Sequence, residues 1–336
     1  MPFFVYFLSI FACQTLAQPV ITVPLQVDVP SSFRALSVVN SKVAWVAGSN
    51  GYVGRTTDGG TTWQFNRAKG FEGLDFRSLY AFNRKQAIIA NAGTPARILR
   101  TADGGKTWKS VYTNTHADAF IDGMDFWNKQ EGITYGDPID GRMVLLRTTD
   151  GGKSWKPVKQ PLLAQGEASF AASGTGIRCF NKLAIVIATG GAVSRLWHSA
   201  DKGDTWHTVE VPVIQGVNSA GIFSVGIRGN TWIVAGGNYQ QPNQTERHIF
   251  YSTDAGKTWQ APVLPTRGYR ECVENLQGTM WVAAGPTGAE VSVDNGITWS
   301  PLSDEQGFHT VRKARKGSLT LMAGNGKLQV VKPQGK

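Results

Sequence analysis

Side chains able to bind an anion or move a proton recur at one place in this sequence. Aligned on an aromatic or apolar anchor, seven segments read Phe33-Arg34-Ala35-Leu36, Phe76-Arg77-Ser78-Leu79, Ile121-Asp122-Gly123-Met124, Phe170-Ala171-Ala172-Ser173, Ala220-Gly221-Ile222-Phe223, Tyr269-Arg270-Glu271-Cys272 and Phe308-His309-Thr310-Val311. The position after the anchor holds Arg34, Arg77, Asp122, Arg270 and His309. In a strand, successive side chains point to opposite faces. If the anchors pack inward, these five residues share the other face. A second set of charges sits in short Gly-bounded stretches between apolar runs. Residues 136–142 carry Asp137, Asp140 and Arg142, residues 189–195 end at Arg195, and the polar stretch 236–248 carries Tyr239. Glu167 precedes the fourth anchor. Two chemistries fit this inventory. Arginines with polar neighbours make a ligand-binding rim, and a pair among Asp122, Asp137 and Glu167 is the minimum for a glycoside hydrolase. The same groups could instead form an ion network that ties structural units together.

The elements that must position these residues are repeats. The octapeptide Thr56-Thr57-Asp58-Gly59-Gly60-Thr61-Thr62-Trp63 follows the pattern (Ser/Thr)-x-Asp-x-Gly-x-(Ser/Thr)-Trp, and the pattern recurs at 101–108, 148–155, 199–206, 252–259 and 292–299. Each copy comes after a short apolar run, which makes it a strand entering a turn. The Asp can accept hydrogen bonds from its own turn. The Gly tolerates positive φ, and the Trp is an apolar wedge for a neighbouring unit. Asp58 with Trp63, Asp103 with Trp108, Asp150 with Trp155, Asp201 with Trp206, Asp254 with Trp259 and Asp294 with Trp299 are therefore assigned to structure, not to metal binding. The Gly-Lys-(Thr/Ser) endings of three copies imitate a phosphate-binding loop. The glycine that such a loop needs upstream is Arg100, Arg147 or Tyr251, so nucleotide binding is rejected.

The closing Trp residues are 45, 47, 51, 53 and 40 residues apart. Such a period with only strand signals predicts an all-β propeller of four short antiparallel strands per blade. A second strand ending in Gly recurs before each box, as in Ala44-Trp45-Val46-Ala47-Gly48, and a seventh copy, 319–324, has no box after it. Seven blades are expected, with six plus a cap as the alternative. The orphan strand at 20–29 would supply the missing outer strand and close the ring, removing free sheet edges. The inner strands then line a central channel, and the candidate residues gather at the mouth opposite the boxes. Loops held on a rigid scaffold are where binding sites concentrate.

The repeat resembles the Asp-box (BNR) repeat of sialidases and sortilin-type propellers, where the box lies away from the active site. The resemblance covers almost the whole chain after residue 17. Sialidases bind a carboxylate with three arginines, which Arg34, Arg77 and Arg270 could supply, but no Tyr–Glu pair carries over. The Asp-box rhythm, the second strand and the basic character are closer to the photosystem II stability/assembly factor family. That resemblance implies a non-catalytic propeller that binds proteins.

Composition narrows the partners. The first 17 residues carry no charge, so the formal net charge of +10 belongs entirely to residues 18–336. A basic surface suits a protein or acidic glycan partner. The densest basic run, 312–316, has no interleaved aromatics of the kind used for single-stranded nucleic acid, which is disfavoured. Residues 3–12 read as the apolar core of a signal peptide cleaved after Ala17, with lipidation at Cys13 as the alternative and therefore a membrane tether. An exported, monomeric propeller spanning 18–336 is expected, in the periplasm, outside the cell or on its outer surface. Cys179 and Cys272 are read as free buried thiols rather than a disulfide. The five His residues lack metal-ligand spacing, so no metal and no cofactor is expected.

Overall fold

A computed structural model describes residues 20–334. The signal-peptide reading, with Ala17 and Cys13, lies outside them. The chain forms seven antiparallel sheets arranged as the blades of one ring. The first blade runs from the channel outward through Phe33–Val38, Ala44–Gly48, Tyr52–Thr56 and Gln64–Arg67. The last blade consists of Phe308–Lys313, Thr320–Gly324 and Lys327–Pro333, and its fourth strand is Val20–Leu25 from the other end of the chain. Val20 pairs with Pro333 and Leu25 with Leu328, so the ring closes by hydrogen bonding rather than by a covalent link. In the fifth blade the outer strand shrinks to a single bridge between Tyr251 and Gln260. Its innermost strand, Ala220–Arg228, gains Gly190–Gly191 and Glu167–Ala168 as extra partners on the channel side.

Each Asp box closes its own turn. In the first, the Thr56 hydroxyl donates to Asp58 Oδ1 (2.8 Å) and accepts from Gly60 N–H. Asp58 in turn accepts from Thr62 N–H (3.0 Å) and the Thr62 hydroxyl (2.5 Å). The same bonds recur around Asp103, Asp150, Asp201, Asp254 and Asp294. The Thr hydroxyl and N–H hold the Asp58, Asp201 and Asp254 carboxyls down at about 2, because hydrogen bonds to a carboxylate favour its charged form.

The boxes also join blades. Gly105 and Trp108 of the second blade meet Trp45 of the first, Gly152 and Trp155 meet Ile88, and Gly296 and Trp299 meet Ile233. At the seam, Gly60 lies against Leu321 and Leu25 of the last blade. The core is accordingly a ring of inter-blade clusters rather than one central mass.

The fourth blade departs from the expected alignment. Its innermost strand is Ile177–Phe180, not the Phe170-Ala171-Ala172-Ser173 segment. That segment instead crosses the channel. Ala172 O accepts from Arg34, the Ser173 hydroxyl donates to Glu271 O, and Ser173 O accepts from the Thr310 hydroxyl. Gly174 O accepts from Arg312, and the Thr175 hydroxyl donates to Ser224. The first, fifth, sixth and seventh blades thus hold a buried plug of small residues, with one cavity above it and another below.

Candidate functional site

The mouth opposite the boxes is built by a repeated irregularity. In the first, second and seventh blades a β-bulge falls at the top of the innermost strand, and the extra residue is Arg34, Arg77 or His309. Phe223 is the extra residue in the fifth. Asp122 and Glu271 hold the same place. Their N–H groups donate to Tyr135 O and Ala284 O, the register partners of the next residues, Gly123 and Cys272. A bulge re-aims one side chain without shifting the rest of the strand. The glycine ending each second strand makes room for the turn. A Cβ on Gly48 would overlap Ser32 O, and one on Gly136 would overlap Phe120 O.

This geometry corrects the sixth blade. Alignment by residue type places Arg270 in the channel, but Glu271 is the bulge residue there, and a one-residue slip sends a side chain to the other face. Arg270 is fully buried against Glu290, with Nε to Oε2 at 2.6 Å and Nη2 to Oε1 at 2.5 Å. Its Nη1 donates to Tyr269 O and Thr287. Gly285 lies fourteen residues after Glu271, as Gly48 does after Arg34 and Gly136 after Asp122. The count is fifteen in the seventh blade, from His309 to Gly324, so spacing alone does not fix the residue.

Around the mouth, Arg34, Arg77, Asp122, Asp137 and Tyr239 line one cavity of about 450 Å³. Arg34 donates to Glu271 Oε2 at 2.8 Å, and that oxygen also meets His309 Nδ1 at 3.0 Å. His309 Nε2 lies 3.1 Å from the Ser32 hydroxyl. His309 is therefore behind the site, buried in the chain that orients Arg34. Arg77 pairs with Asp75 at 2.7 Å and stays one-third exposed.

Facing the arginines is an aromatic wall, of which the sequence reading has only Tyr239 as a rim residue. Phe170 stacks on Phe223 at 3.8 Å between centroids, and Tyr269 and Tyr239 meet Phe223 edge-on. No strand pattern marks these residues as neighbours, because they come from the plug and from two other blades.

Four other expected rim residues fall outside the cavity. Asp140 is at an exposed hairpin tip with φ of 52°. The exposed Arg142 donates to Gln160 O at the blade edge. Glu167 and Arg195 are spent on each other, with bonds of 2.8 and 3.1 Å. Glu167 also accepts from Trp197 Nε1, the Thr189 hydroxyl and Ala164 N–H. Burial pushes the Glu167 carboxyl up, but these donors, Arg195 first, pull it below the usual range. A buried, fully bonded carboxylate of this kind is a brace and cannot flank a glycosidic bond.

Asp122 is the opposite case. It is fully buried, and neither carboxyl oxygen has a hydrogen-bond partner. Burial, then the Asp137 carboxylate, push its pKa well above the usual range. Arg77 opposes the shift, as does the Asp137 N–H, which approaches without meeting hydrogen-bond geometry. Asp137 is itself raised by burial, against a bond from Ser169 N–H. A raised carboxyl favours the native state below its unfolded pKa, and that contribution is lost as pH rises through the folded value. Asp122→Asn should therefore gain stability over the parent progressively above pH 3.8, the ordinary value. Urea unfolding at pH 4 and pH 8 reads this directly. A gap that fails to widen in favour of the variant at pH 8 would show that Asp122 is ionised in the fold.

Cys179 is half-buried and Cys272 buried, and both are free. Cys272 opens its innermost strand, Cys272–Gln277. Among the described residues, no three His, Cys, Asp or Glu side chains converge to hold a metal ion.

Comparison with known proteins agrees with this architecture. Residues 17–119 match the family model of the photosynthesis system II assembly factor YCF48, and residues 143–273 match that of sortilin, neurotensin receptor 3. The chain is an Asp-box seven-bladed β-propeller similar to the photosystem II assembly factors. Among solved structures, YCF48 bound to D1 peptide is 17% identical over 93% of this chain and 96% of that one, with a TM-score of 0.68. YCF48 from Cyanidioschyzon merolae is 15% identical over 92% and 98%, with a TM-score of 0.69. A streptogramin B lyase reaches 0.68 at 12% identity over 94% and 98%. No curated protein matches the chain in sequence. Likeness at these identities establishes the fold, which serves binders and enzymes alike.

Proposed function

We propose that this propeller is an exported, assembly-factor-type protein that captures a segment of a protein partner at the mouth opposite the Asp boxes. The observation that carries the reading is the pairing of one aromatic wall (Phe170, Phe223, Tyr239, Tyr269) with two partly exposed arginines in a single cavity. Aromatic residues and arginine dominate the cores of protein interfaces, and charged residues are otherwise depleted there. The similarity to a YCF48 solved with a D1 peptide supports the mode of binding. The net charge of +10 favours a segment carrying carboxylates. Against a glycosidase, Glu167 is locked in its brace, and buried Asp122 leaves Asp137 without an accessible second carboxylate from the candidate set.

Fluorescence anisotropy with a panel of labelled acidic peptides, neutral peptides and acidic oligosaccharides tests the reading. Arg34→Ala or Arg77→Ala should weaken acidic-peptide binding about tenfold each, in keeping with a truncated interface arginine, with the unfolding midpoint of Arg77→Ala close to the parent. Equal binding in both variants, or binding only by acidic oligosaccharides, would reject the protein-capture reading. N-terminal sequencing of the protein recovered from its native host tests export, with Gln18 as the expected first residue.

A further inference from the structure

The cavity below the plug, at the end of the channel nearest the boxes, has no place in peptide capture at the other mouth. It holds about 350 Å³. Its charged lining is Arg178, Arg312, Lys313 and Arg315 against only Asp125 and Glu274, and most of the remaining wall is apolar, with Tyr80, Phe126 and Phe180 contributing rings. Arg312, Lys313 and Arg315 belong to the densest basic run of the sequence, which begins at the end of the innermost strand of the last blade.

The charges do not cancel. Arg178 donates through Nη2 to Glu274 at 2.9 Å and Val273 O at 3.3 Å, and through Nε to Val225 O at 2.7 Å. Arg312 reaches the same carboxylate only at 4.0 Å. It spends Nη2 on Gly174 O, and its Nε is buried with no acceptor. Burial, and then repulsion from Arg178, lower the Arg312 pKa. Asp125 is occupied by two backbone donors, Phe126 N–H and Cys179 N–H, and makes no ion pair. Arg315 lies over the Tyr80 ring at 4.4 Å and bonds Ala81 O and Ser37. The Lys313 ammonium has no side-chain partner among the described residues. Arg178 and Arg312 thus face Glu274 and, without an ion pair, Asp125, and the surplus positive charge of the lining falls on Lys313 and Arg315. A bound anion would offset that surplus and give the buried Arg312 Nε the acceptor it lacks.

We infer that the box-side cavity is a binding site for a small oxyanion, a carboxylate or phosphate group borne on an apolar or aromatic body. Lys313 and Arg315 supply the surplus positive charge, Arg312 supplies the unpaired Nε donor, and the Tyr80, Phe126 and Phe180 rings contact the body. The cavity is too small for a folded partner, and the plug separates it from the mouth.

Isothermal titration calorimetry of the native protein tests the assignment. Sodium benzoate and sodium phosphate would each be titrated against sodium chloride at matched ionic strength. Saturable one-site binding is expected. Binding of benzoate at lower concentration than phosphate assigns an aromatic carboxylate, and the reverse order assigns a phosphate. Arg312→Gln should abolish the binding and Lys313→Gln should weaken it, while Arg34→Gln at the other mouth should leave it intact. Lys313, at the cavity edge, keeps the test decisive if Arg312→Gln does not fold. Binding no tighter than that of chloride, or binding undiminished in both cavity variants, would overturn the assignment.

Discussion

Glu290→Ala should destabilise the propeller by about 3–5 kcal/mol, the usual cost of breaking a buried ion pair from one side. The alanine would leave the Arg270 guanidinium, which has no exposure at all, facing a cavity with only Tyr269 O and Thr287 as acceptors. Arg270→Ala should cost less, and that asymmetry is the sharper expectation. Glu290 Oε1 also accepts from Arg267 Nε at 2.9 Å, and Arg267 is 42% exposed, so the orphaned carboxylate would keep a cationic neighbour and a route to solvent. Equilibrium urea unfolding of the two variants measures both values. A Glu290→Ala loss below about 1 kcal/mol would mean that water reaches the pair. Replacing both partners with apolar residues, Arg270→Met with Glu290→Leu, should recover much of the loss, since matched removal avoids a lone buried charge.

Trp45→Ala should be comparably severe, about 3–5 kcal/mol for a buried Trp. Trp45 is fully buried on the second strand of the first blade. Its Nε1 donates to Asn83 O, and its ring meets Trp108 edge-on at 6.5 Å and covers Gly105. Its removal breaks the contact between two blades, not only a packing site within one. Trp45→Phe should retain most of the stability, because the ring still fills the joint and only the indole hydrogen bond is lost. Trp63→Ala should cost less, because that ring is only partly buried at the seam. Equal losses for Trp45→Ala and Trp63→Ala would show that the joints are not graded by burial.

Both substitutions address features that the sequence disclosed unequally. Trp45 stands in a recurring second strand, and its burial is implied by the apolar run around it. The Arg270–Glu290 pair was hidden. Tyr269-Arg270-Glu271 aligns by type with Phe33-Arg34-Ala35, and type alone cannot choose between Arg270 and Glu271 for the channel. The bulge chooses, through the register with Cys272 and Ala284. Phe170 misleads in the same way. It matches the other anchors in type, but the innermost strand of its blade starts at Ile177, and the intervening small residues fill the channel. Small side chains leave no periodic signature, and a plug is recognisable only once the ring around it exists.

The architecture was legible in the amino-acid order alone: six Asp boxes, a seventh second strand without a box, and an orphan strand to close the ring. Those features are local. A box such as Thr56 to Trp63 is held by hydrogen bonds spanning at most four residues, so its pattern carries its own structure. Which charges stay free emerged only from the folded ring. Arg34 and Arg77 remain partly exposed at the mouth, Arg270, Glu167 and Arg195 are consumed in braces, and Arg312 enters the channel without a carboxylate of its own. The physical reason is that a charge is neutralised by whatever lies within a few ångströms. Some of those neighbours lie in the same blade, as Glu290 does for Arg270, and others come from across the ring, as Glu271 does for Arg34, 237 positions away in sequence.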